Sequence, residues 1–389
     1  MLNLLLLGIF KYANFFLQNI SAVLGREAPL LSIALPIGIS FYTFQTISYV
    51  LDVYRGQVPA QKTYYKYLMY LSSYHQLVAG PIVRYSDVAA EIENRTVSVQ
   101  DFSEGITKFC VGLTKKVVVA NTAGQLVAQY MDGQLAGLSV AGAWFGALLY
   151  AIQLYYDFSA YSDIAIGLSE LFGIRMKENF NFPYLSRSIT EFWRRWHISL
   201  GTWFREYLYI PLGGNRKGRG RTLLNLFAVF LVTGIWHGAG YNYILWGVIN
   251  GVMIVLERCV RDKGWYQKIP GLVRWAFTMF VVLMSWQVFR LESLSGIAQF
   301  FGILFGALKF APVNFTWQYY FDARIVVLMV IATVGALALD GGWAKKLHAK
   351  IRSSVPLFCV AQLALLLLMV LSVMCMINST YSPFIYFQY

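Results

Sequence analysis

Residues 223–257 read LLNLFAVFLVTGIWHGAGYNYILWGVINGVMIVLE, two strongly apolar runs that meet at His237. An α-helix needs about 20 apolar residues to span a bilayer, and each run approaches that length. Glycines at 234, 238 and 240 surround the histidine and let the backbone bend there. A polar side chain at membrane depth is costly unless it faces the protein interior or a water-filled cavity. The stretch therefore predicts a helical membrane protein in which His237 is a candidate functional residue.

The composition extends this prediction to the whole chain. Of the 389 residues, 58% are hydrophobic and 13% are charged, against roughly 25% charged residues in a soluble domain. We expect one all-α, polytopic integral membrane domain over residues 1–389, with about ten or eleven transmembrane helices plus re-entrant or interfacial ones. The predicted spans lie near 2–19, 29–51, 105–130, 139–156, 223–236, 240–257, 271–290, 296–311, 323–340 and 355–377, and the amphipathic stretches lie at 64–80, 158–173 and 190–210.

The excess of basic residues fits membrane topology better than nucleic-acid binding. The net charge is +13, and the basic residues form short clusters between apolar runs, at 215–221, 258–268 and 345–352. Cytoplasmic loops of membrane proteins carry such clusters. We therefore expect no nucleic-acid partner. The four cysteines are widely spaced, and no His/Cys spacing suits zinc, so we also predict no metal site.

Tyr156, Asp157, Ser159 and Asp163 form a polar cluster between apolar runs. One interpretation is a loop or helix start in which Ser159 and Asp163 cap helix ends. The other is a polar lining that shapes a substrate cavity. Two carboxylates at membrane depth are also compatible with a coupling-ion site, which would make the protein a transporter. No internal repeat is visible, which weakens that alternative.

The stretch 190–210 carries apolar or aromatic residues at 193, 196, 200, 203 and 207, a helical spacing. This pattern predicts one amphipathic helix with an aromatic face and a basic face at the membrane interface. His197 falls on the aromatic side of that helix, where a histidine is commonly a hydrogen-bonded structural residue. The arginines at 194, 195 and 205 suit phosphates of a donor molecule or of anionic lipid headgroups.

Histidine is the side chain best suited to proton transfer near neutral pH. Acyl transfer from a thioester to a hydroxyl needs such a base, together with a group that stabilises the tetrahedral oxyanion. Of the other two histidines, His75 is expected to be structural, and His348 lies in a basic cluster. No GxSxG elbow is present for a serine nucleophile.

Six motifs distributed over the chain are long enough to be specific: ENFNFPYLSRSITEFWRRWHISLGTWFREYLYIPLGGNR (178–216), TGIWHGAGYNYILWG (233–247), LPIGISFYTFQTISYVLDVYRG (35–56), HQLVAGPIVRYSD (75–87), YYDFSAYSDIAIGL (155–168) and YSPFIYFQY (381–389). They resemble the bacterial membrane-bound O-acyltransferases, especially those that O-acetylate alginate or peptidoglycan. Family members carry additional helices before the stretch matched by GIFKYANFF, so we expect the family's first helices to be absent at this N-terminus.

This resemblance implies a ring of helices around a central funnel, in the inner membrane of a bacterium and surrounded by lipid. The family's near-invariant histidine matches His237, and its second motif histidine matches His197. No cofactor is expected to be bound; the donor would be a cytoplasmic acyl thioester, acetyl-CoA or an acyl carrier. The acceptor would be an extracytoplasmic, esterase-like O-acetyltransferase that modifies a polysaccharide.

We therefore expect His237 to act as general base or to position the acceptor hydroxyl. His197 would lie across the reacting centre or polarise the thioester carbonyl. D-alanyl transfer to teichoic acid, transport, and a scaffold that anchors the extracytoplasmic transferase remain as alternatives. The other expected site residues are Trp193, Trp196 and Trp236 as water-excluding walls, Tyr156, Asp157, Ser159, Asp163 and Asn250 as further lining, and Arg194, Arg195 and Arg205 as donor-phosphate ligands.

Overall fold

The computed structural model is all-helical over the residues that it describes, 2–27, 29–77, 80–132, 135–308, 323–337 and 341–377. Single π-helical turns follow α6, at Lys115–Ala120, and α10, at Arg205–Tyr209. The helices are α1 (Leu2–Leu24), α2 (Ile39–Tyr54), α3 (Tyr64–Ser72), α4 (Tyr74–Leu77), α5 (Tyr85–Glu93), α6 (Val99–Thr114), α7 (Asn121–Met131), α8 (Val140–Leu171), α9 (Ile189–Arg195), α10 (Ile198–Phe204), α11 (Arg219–His237), α12 (Tyr241–Val260), α13 (Gly264–Gln267), α14 (Gly271–Arg290), α15 (Leu294–Leu304), α16 (Ala323–Leu337), α17 (Gly341–Ser353) and α18 (Val355–Ile377).

Three of these helices, α12, α14 and α18, are long and apolar enough to cross a membrane by their own composition. Only 6% of the most apolar window of α18 is buried against the rest of the protein. A helix that is apolar on all sides and yet exposed is typical of a segment surrounded by lipid. Each predicted apolar run contains a helix, which confirms the all-α membrane class. The number of crossings stays a prediction, and the C-terminal motif 381–389 lies outside the described residues.

The predicted division between run 139–156 and stretch 158–173 is wrong, because α8 continues through both as one helix of 32 residues. Ser159 and Asp163 therefore lie inside a helix and do not cap one. Two lysines of the π-helical turn that follows α6 neutralise the carboxylates of Asp157 and Asp163. The Lys116 ammonium lies 2.5 Å from Asp157, and the Lys115 ammonium lies 2.6 Å from Asp163.

The single amphipathic helix predicted over 190–210 is also wrong, since α9 and α10 are separated by a break at His197. Asn179, in the loop before α9, causes the break by competing for backbone hydrogen bonds. Its carbonyl accepts the Ile198 N–H at 2.9 Å, and the Arg195 carbonyl accepts the Asn181 N–H at 2.9 Å. His197 adopts left-handed backbone geometry with φ 44°. The aromatic residues of this segment consequently divide between two clusters.

The first aromatic cluster lies where α9 packs on α12 and α14 and contains Trp196, Trp246 and Trp286. The ring centroids of Trp196 and Trp286 lie 4.8 Å apart. The second cluster joins α2 to α10 and α11, and there Phe44 stacks on Trp203 at 3.9 Å. The cavity described next is lined by residues of both clusters.

Candidate active site

His197 and His237 line one cavity of about 480 Å³. His237 is the last residue of α11, and His197 is the residue that separates α9 from α10. The sequence places them 40 positions apart, and the fold brings both imidazoles to the same space. His75, in α4, is buried but is not among the residues that line this cavity in the described part of the chain.

Glycines place His237 by allowing α11 and α12 to approach closely. A Cβ at Gly247 would lie 2.7 Å from the Phe230 carbonyl oxygen, and a Cβ at Gly234 would overlap the Tyr243 carbonyl. A Cβ at Gly238 would overlap the Tyr243 ring. Only residues without a side chain permit this contact. The hairpin of α11 and α12 is therefore tightly packed at His237, where α11 ends.

Aromatic rings surround the His237 imidazole. The ring centroids of Trp236, Phe289 and Trp246 lie 5.0, 5.1 and 5.2 Å from it, all in edge-on geometry. Such walls exclude water, which would compete with a hydroxyl acceptor in acyl transfer. Phe289 and Trp246 also line the cavity.

The backbone of His237 is held by the first helix of the chain. The Lys11 ammonium donates to the carbonyls of Trp236, at 2.6 Å, and of His237, at 2.9 Å. The Tyr12 hydroxyl donates to the Ile235 carbonyl. The last carbonyls of a helix have no partner within it, so these contacts satisfy the end of α11.

His197 is only 3% exposed and packs edge-on against Phe158 at 4.7 Å. Its Nδ1 lies 3.2 Å from the side-chain oxygen of Asn179. Its Nε2 is buried, and no described residue makes a hydrogen bond to it. One ring nitrogen thus has a protein partner, while the other has none among the described residues.

Of the tryptophans predicted to wall the cavity, Trp193 and Trp196 line it and Trp236 does not. Trp236 stacks on Phe44 at 5.0 Å, in the second aromatic cluster. The lining instead includes Trp246 and Trp286, which sequence reasoning missed. These two look like ordinary apolar helix residues until the packing of α12 and α14 is known.

Among the polar residues predicted as lining, only Asp157 lines the cavity described here. In α8 it shares a face with Leu154, Phe158 and Tyr161, which also line it, as the i, i+3, i+4, i+7 spacing requires. The others lie on different faces or helices; three of them bond elsewhere, and the Ser159 hydroxyl has no hydrogen-bond partner among the described residues. The Tyr156 hydroxyl donates to the Ala332 carbonyl, Ser159 is buried, Asp163 pairs with Lys115, and the Asn250 amide donates to the Trp246 carbonyl.

The cavity lining is rich in cationic side chains. Arg194 and Arg205 line it as predicted, together with Arg258 and Arg261, which the sequence placed only in a basic cluster. Arg195 is not among the lining residues, and its guanidinium instead pairs with Glu191 at 2.9 Å. In the described part of the chain, Asp157 is the only carboxylate in the lining, and Lys116 pairs with it. An anionic molecule is therefore favoured there.

Comparison with known proteins gives a consistent result. Residues 59–286 match the family described as MBOAT, membrane-bound O-acyltransferase family. The whole chain is 41% identical to the probable alginate O-acetylase AlgI of Pseudomonas putida and covers 82% of it. It is 35% identical to the peptidoglycan O-acetyltransferase of Helicobacter pylori, over 75% of this chain and 61% of that protein. It is 26% identical to the teichoic acid D-alanyltransferase of Bacillus subtilis, over 64% of this chain and 65% of that protein.

Proposed function

Because the chain belongs to the membrane-bound O-acyltransferase family, we propose that it transfers an acetyl group from cytoplasmic acetyl-CoA to an acceptor outside the membrane. The transfer serves O-acetylation of a cell-surface polysaccharide of the alginate or peptidoglycan type. The acceptor is an extracytoplasmic, esterase-like O-acetyltransferase, and the protein resides in the inner membrane. The observation that carries this proposal is the single cavity shared by His197 and His237.

In the proposed reaction the His237 imidazole removes the proton of the acceptor hydroxyl. The oxygen attacks the thioester carbonyl, the new C–O bond forms, and the C–S bond breaks. The departing thiolate then takes the proton back from the imidazolium, so that free CoA thiol and the acetyl ester are the products. General base catalysis of this kind contributes about 10²–10⁴-fold to a rate. His197 lines the same cavity, and we propose that it acts on the other side of the reacting centre.

The cationic lining of the cavity supports a phosphate-bearing donor. Guanidinium groups bind phosphate through two parallel hydrogen bonds. Arg194, Arg205, Arg258 and Arg261 line the cavity together, and we propose that they hold the phosphates of CoA. Arg195 is left out of this group because it does not line the cavity. Arg205 and Arg261 line it although they also lie near carboxylates, Glu206 at 3.2 Å and Asp262 at 3.6 Å.

D-alanyl transfer is the second candidate, and the similarity to a teichoic acid D-alanyltransferase favours it. That identity is 26%, against 41% for the alginate acetylase, so acetyl transfer is preferred. Transport is less well supported, because lysines already pair with Asp157 and Asp163. A scaffold without chemistry would not need two histidines in one cavity.

The test uses purified full-length protein in nanodiscs, acetyl-CoA and the candidate acceptor protein, with thiol release and label transfer as readouts. His237→Ala is expected to lower transfer by about 10²-fold or more while insertion and yield are retained. His75→Ala is the matched control, since His75 is buried outside the lining. Wild-type transfer by His237→Ala would overturn the proposal. Consumption of a D-alanyl carrier in place of acetyl-CoA would select the second candidate.

A further inference from the structure

Asn179 lies in the loop before α9, is 1% exposed, and joins His197 to the start of α10. Its side-chain oxygen accepts the Ser199 backbone N–H at 3.1 Å and the Ser199 hydroxyl at 2.9 Å. Its amide nitrogen donates to the Ser162 hydroxyl at 3.1 Å. Every polar atom of this buried side chain therefore has a partner.

These contacts fix which end of the amide faces His197. Oxygen and nitrogen of an asparagine side chain are assigned from their hydrogen bonds. A backbone N–H can only donate, so the atom that faces the Ser199 N–H must be the amide oxygen. The same oxygen lies 3.2 Å from His197 Nδ1.

The orientation of Asn179 in turn fixes the proton on His197. An amide oxygen only accepts, so Nδ1 carries a hydrogen when it bonds to this oxygen. The Ser199 hydroxyl also lies 3.4 Å from Nδ1, but its hydrogen is donated to the same amide oxygen at 2.9 Å. A neutral imidazole has one N–H, which leaves Nε2 with a lone pair. Nε2 is buried without a hydrogen-bond partner among the described residues, and His197 lines the cavity.

We propose that Asn179 is a positioning residue that holds His197 in the Nδ1-protonated tautomer and presents the bare Nε2 to the cavity. The catalytic role of this tautomer rests on the proposed function. Neutral His197 then accepts a hydrogen bond from an N–H or O–H group of a reactant other than the hydroxyl whose proton His237 removes, and does not donate one to the thioester carbonyl. The sequence leaves two roles open for His197: it lies across the reacting centre, or it polarises the thioester carbonyl. An unprotonated Nε2 cannot donate to the carbonyl, so we favour the first role.

The experiment is solid-state NMR of the full-length protein in lipid, with ¹⁵N-labelled histidine rings, because protonated and bare ring nitrogens have separate chemical shifts. The His197 signals are identified by their loss in His197→Gln. We expect Nδ1 to be protonated and Nε2 bare in the wild type. A wild type with the proton on Nε2 would overturn the proposal, whether or not any Asn179 variant folds.

Variants of Asn179 test the cause. Asn179→Leu removes the acceptor and is expected to move a substantial fraction of His197 to the other tautomer, whereas Asn179→Asp keeps an oxygen and keeps the tautomer. Ser162→Ala is the matched control, because it removes a partner of Asn179 while the amide oxygen stays in place. An unchanged His197 spectrum in folded Asn179→Leu would also overturn the proposal. The expected spectra together with no acetyl transfer would instead refute the proposed function alone.

Discussion

The ammonium of Lys11, in α1, donates a hydrogen bond to the backbone carbonyl of His237, 226 positions away, at 2.9 Å. It also contacts the carbonyl of Trp236. These carbonyls end α11, where the helix dipole is negative, so a cation is favourable there. The first helix thus secures the backbone of the residue that we propose as the base.

Replacing Lys11 should therefore impair catalysis through His237. We expect Lys11→Met to lower kcat by about 10–10²-fold, since small misplacements of reacting groups have effects of that size. Lys11→Arg should retain more activity because it still donates. The measurement is kcat at saturating acetyl-CoA, with Lys66→Met as control for a lysine paired far from the site. Equal kcat for Lys11→Met and wild type would show that the contact has no catalytic role.

The cavity arginines should govern donor affinity. We expect Arg258→Gln to raise the KM for acetyl-CoA by about tenfold, with a smaller change in kcat, because hydrogen bonds to charged groups contribute about 1.5–3 kcal/mol. Arg195→Gln is the control, since Arg195 pairs with Glu191 and not with the cavity. Equal KM shifts in both variants would show that the effect is not specific to the cavity, and an unchanged KM for Arg258→Gln would show that Arg258 does not hold the donor.

The glycine contact between α11 and α12 should be sensitive to a single methyl group. We expect Gly234→Ala to destabilise the protein by about 1–3 kcal/mol, as overpacking does, and to lower activity by moving His237. Gly220→Ala lies in the same helix with no neighbour near the added carbon, and should be neutral or slightly stabilising. Thermal unfolding in detergent measures both. A stable, fully active Gly234→Ala protein would contradict the described packing.

The Lys116–Asp157 pair is buried on both sides, with 8% and 4% of the side chains exposed. Removing one partner leaves an uncompensated charge, so Lys116→Met should destabilise the protein by about 3–5 kcal/mol. Lys116→Met combined with Asp157→Asn should recover much of that loss. The exposed pair Lys66–Glu93 serves as the comparison, and its removal should have a much smaller effect. Equal thermal stability of the Lys116 single and double variants would argue against the pairing.

His237 could be proposed from the sequence because a polar side chain at membrane depth is rare, whereas His197 became a candidate through the family resemblance. Both line the cavity, and their catalytic roles stay predictions. The continuous course of α8 could not be predicted. The lysines that neutralise Asp157 and Asp163 come from a π-helical turn that lies 41 and 48 positions earlier in the chain. Trp236 was predicted to wall the cavity but packs against Phe44. The rotation of α11 about its axis is set by the neighbouring helices, which the sequence does not show. Asn179 gave no signal: a single asparagine in a loop acquires its role only when His197 folds against it.

The loss of a helical turn at His197 was hidden for the same reason. The aromatic spacing over 193–207 favours a continuous helix. Backbone hydrogen bonds of Asn179 and Asn181 oppose it, and so does the Asn179 side chain, which accepts the Ser199 N–H. The cationic lining was predicted in part. Arg258 and Arg261 belong to a basic cluster that predicts a cytoplasmic loop. They line one cavity with Arg194 because α12 packs against α9, which the sequence does not show.

The unbroken course of α8 bears on how the protein would respond to the thickness of its bilayer, if the crossing predicted for residues 139–156 is made by this helix. A helix of 32 residues is about 48 Å long, whereas the hydrocarbon core measures about 30 Å. A crossing helix of that length would lean or project into the headgroups, and lipids with longer or shorter tails would alter that lean. Asp157, Phe158 and Tyr161 line the cavity and belong to this helix. A change in lipid tail length that tilts α8 would therefore change the shape of the cavity.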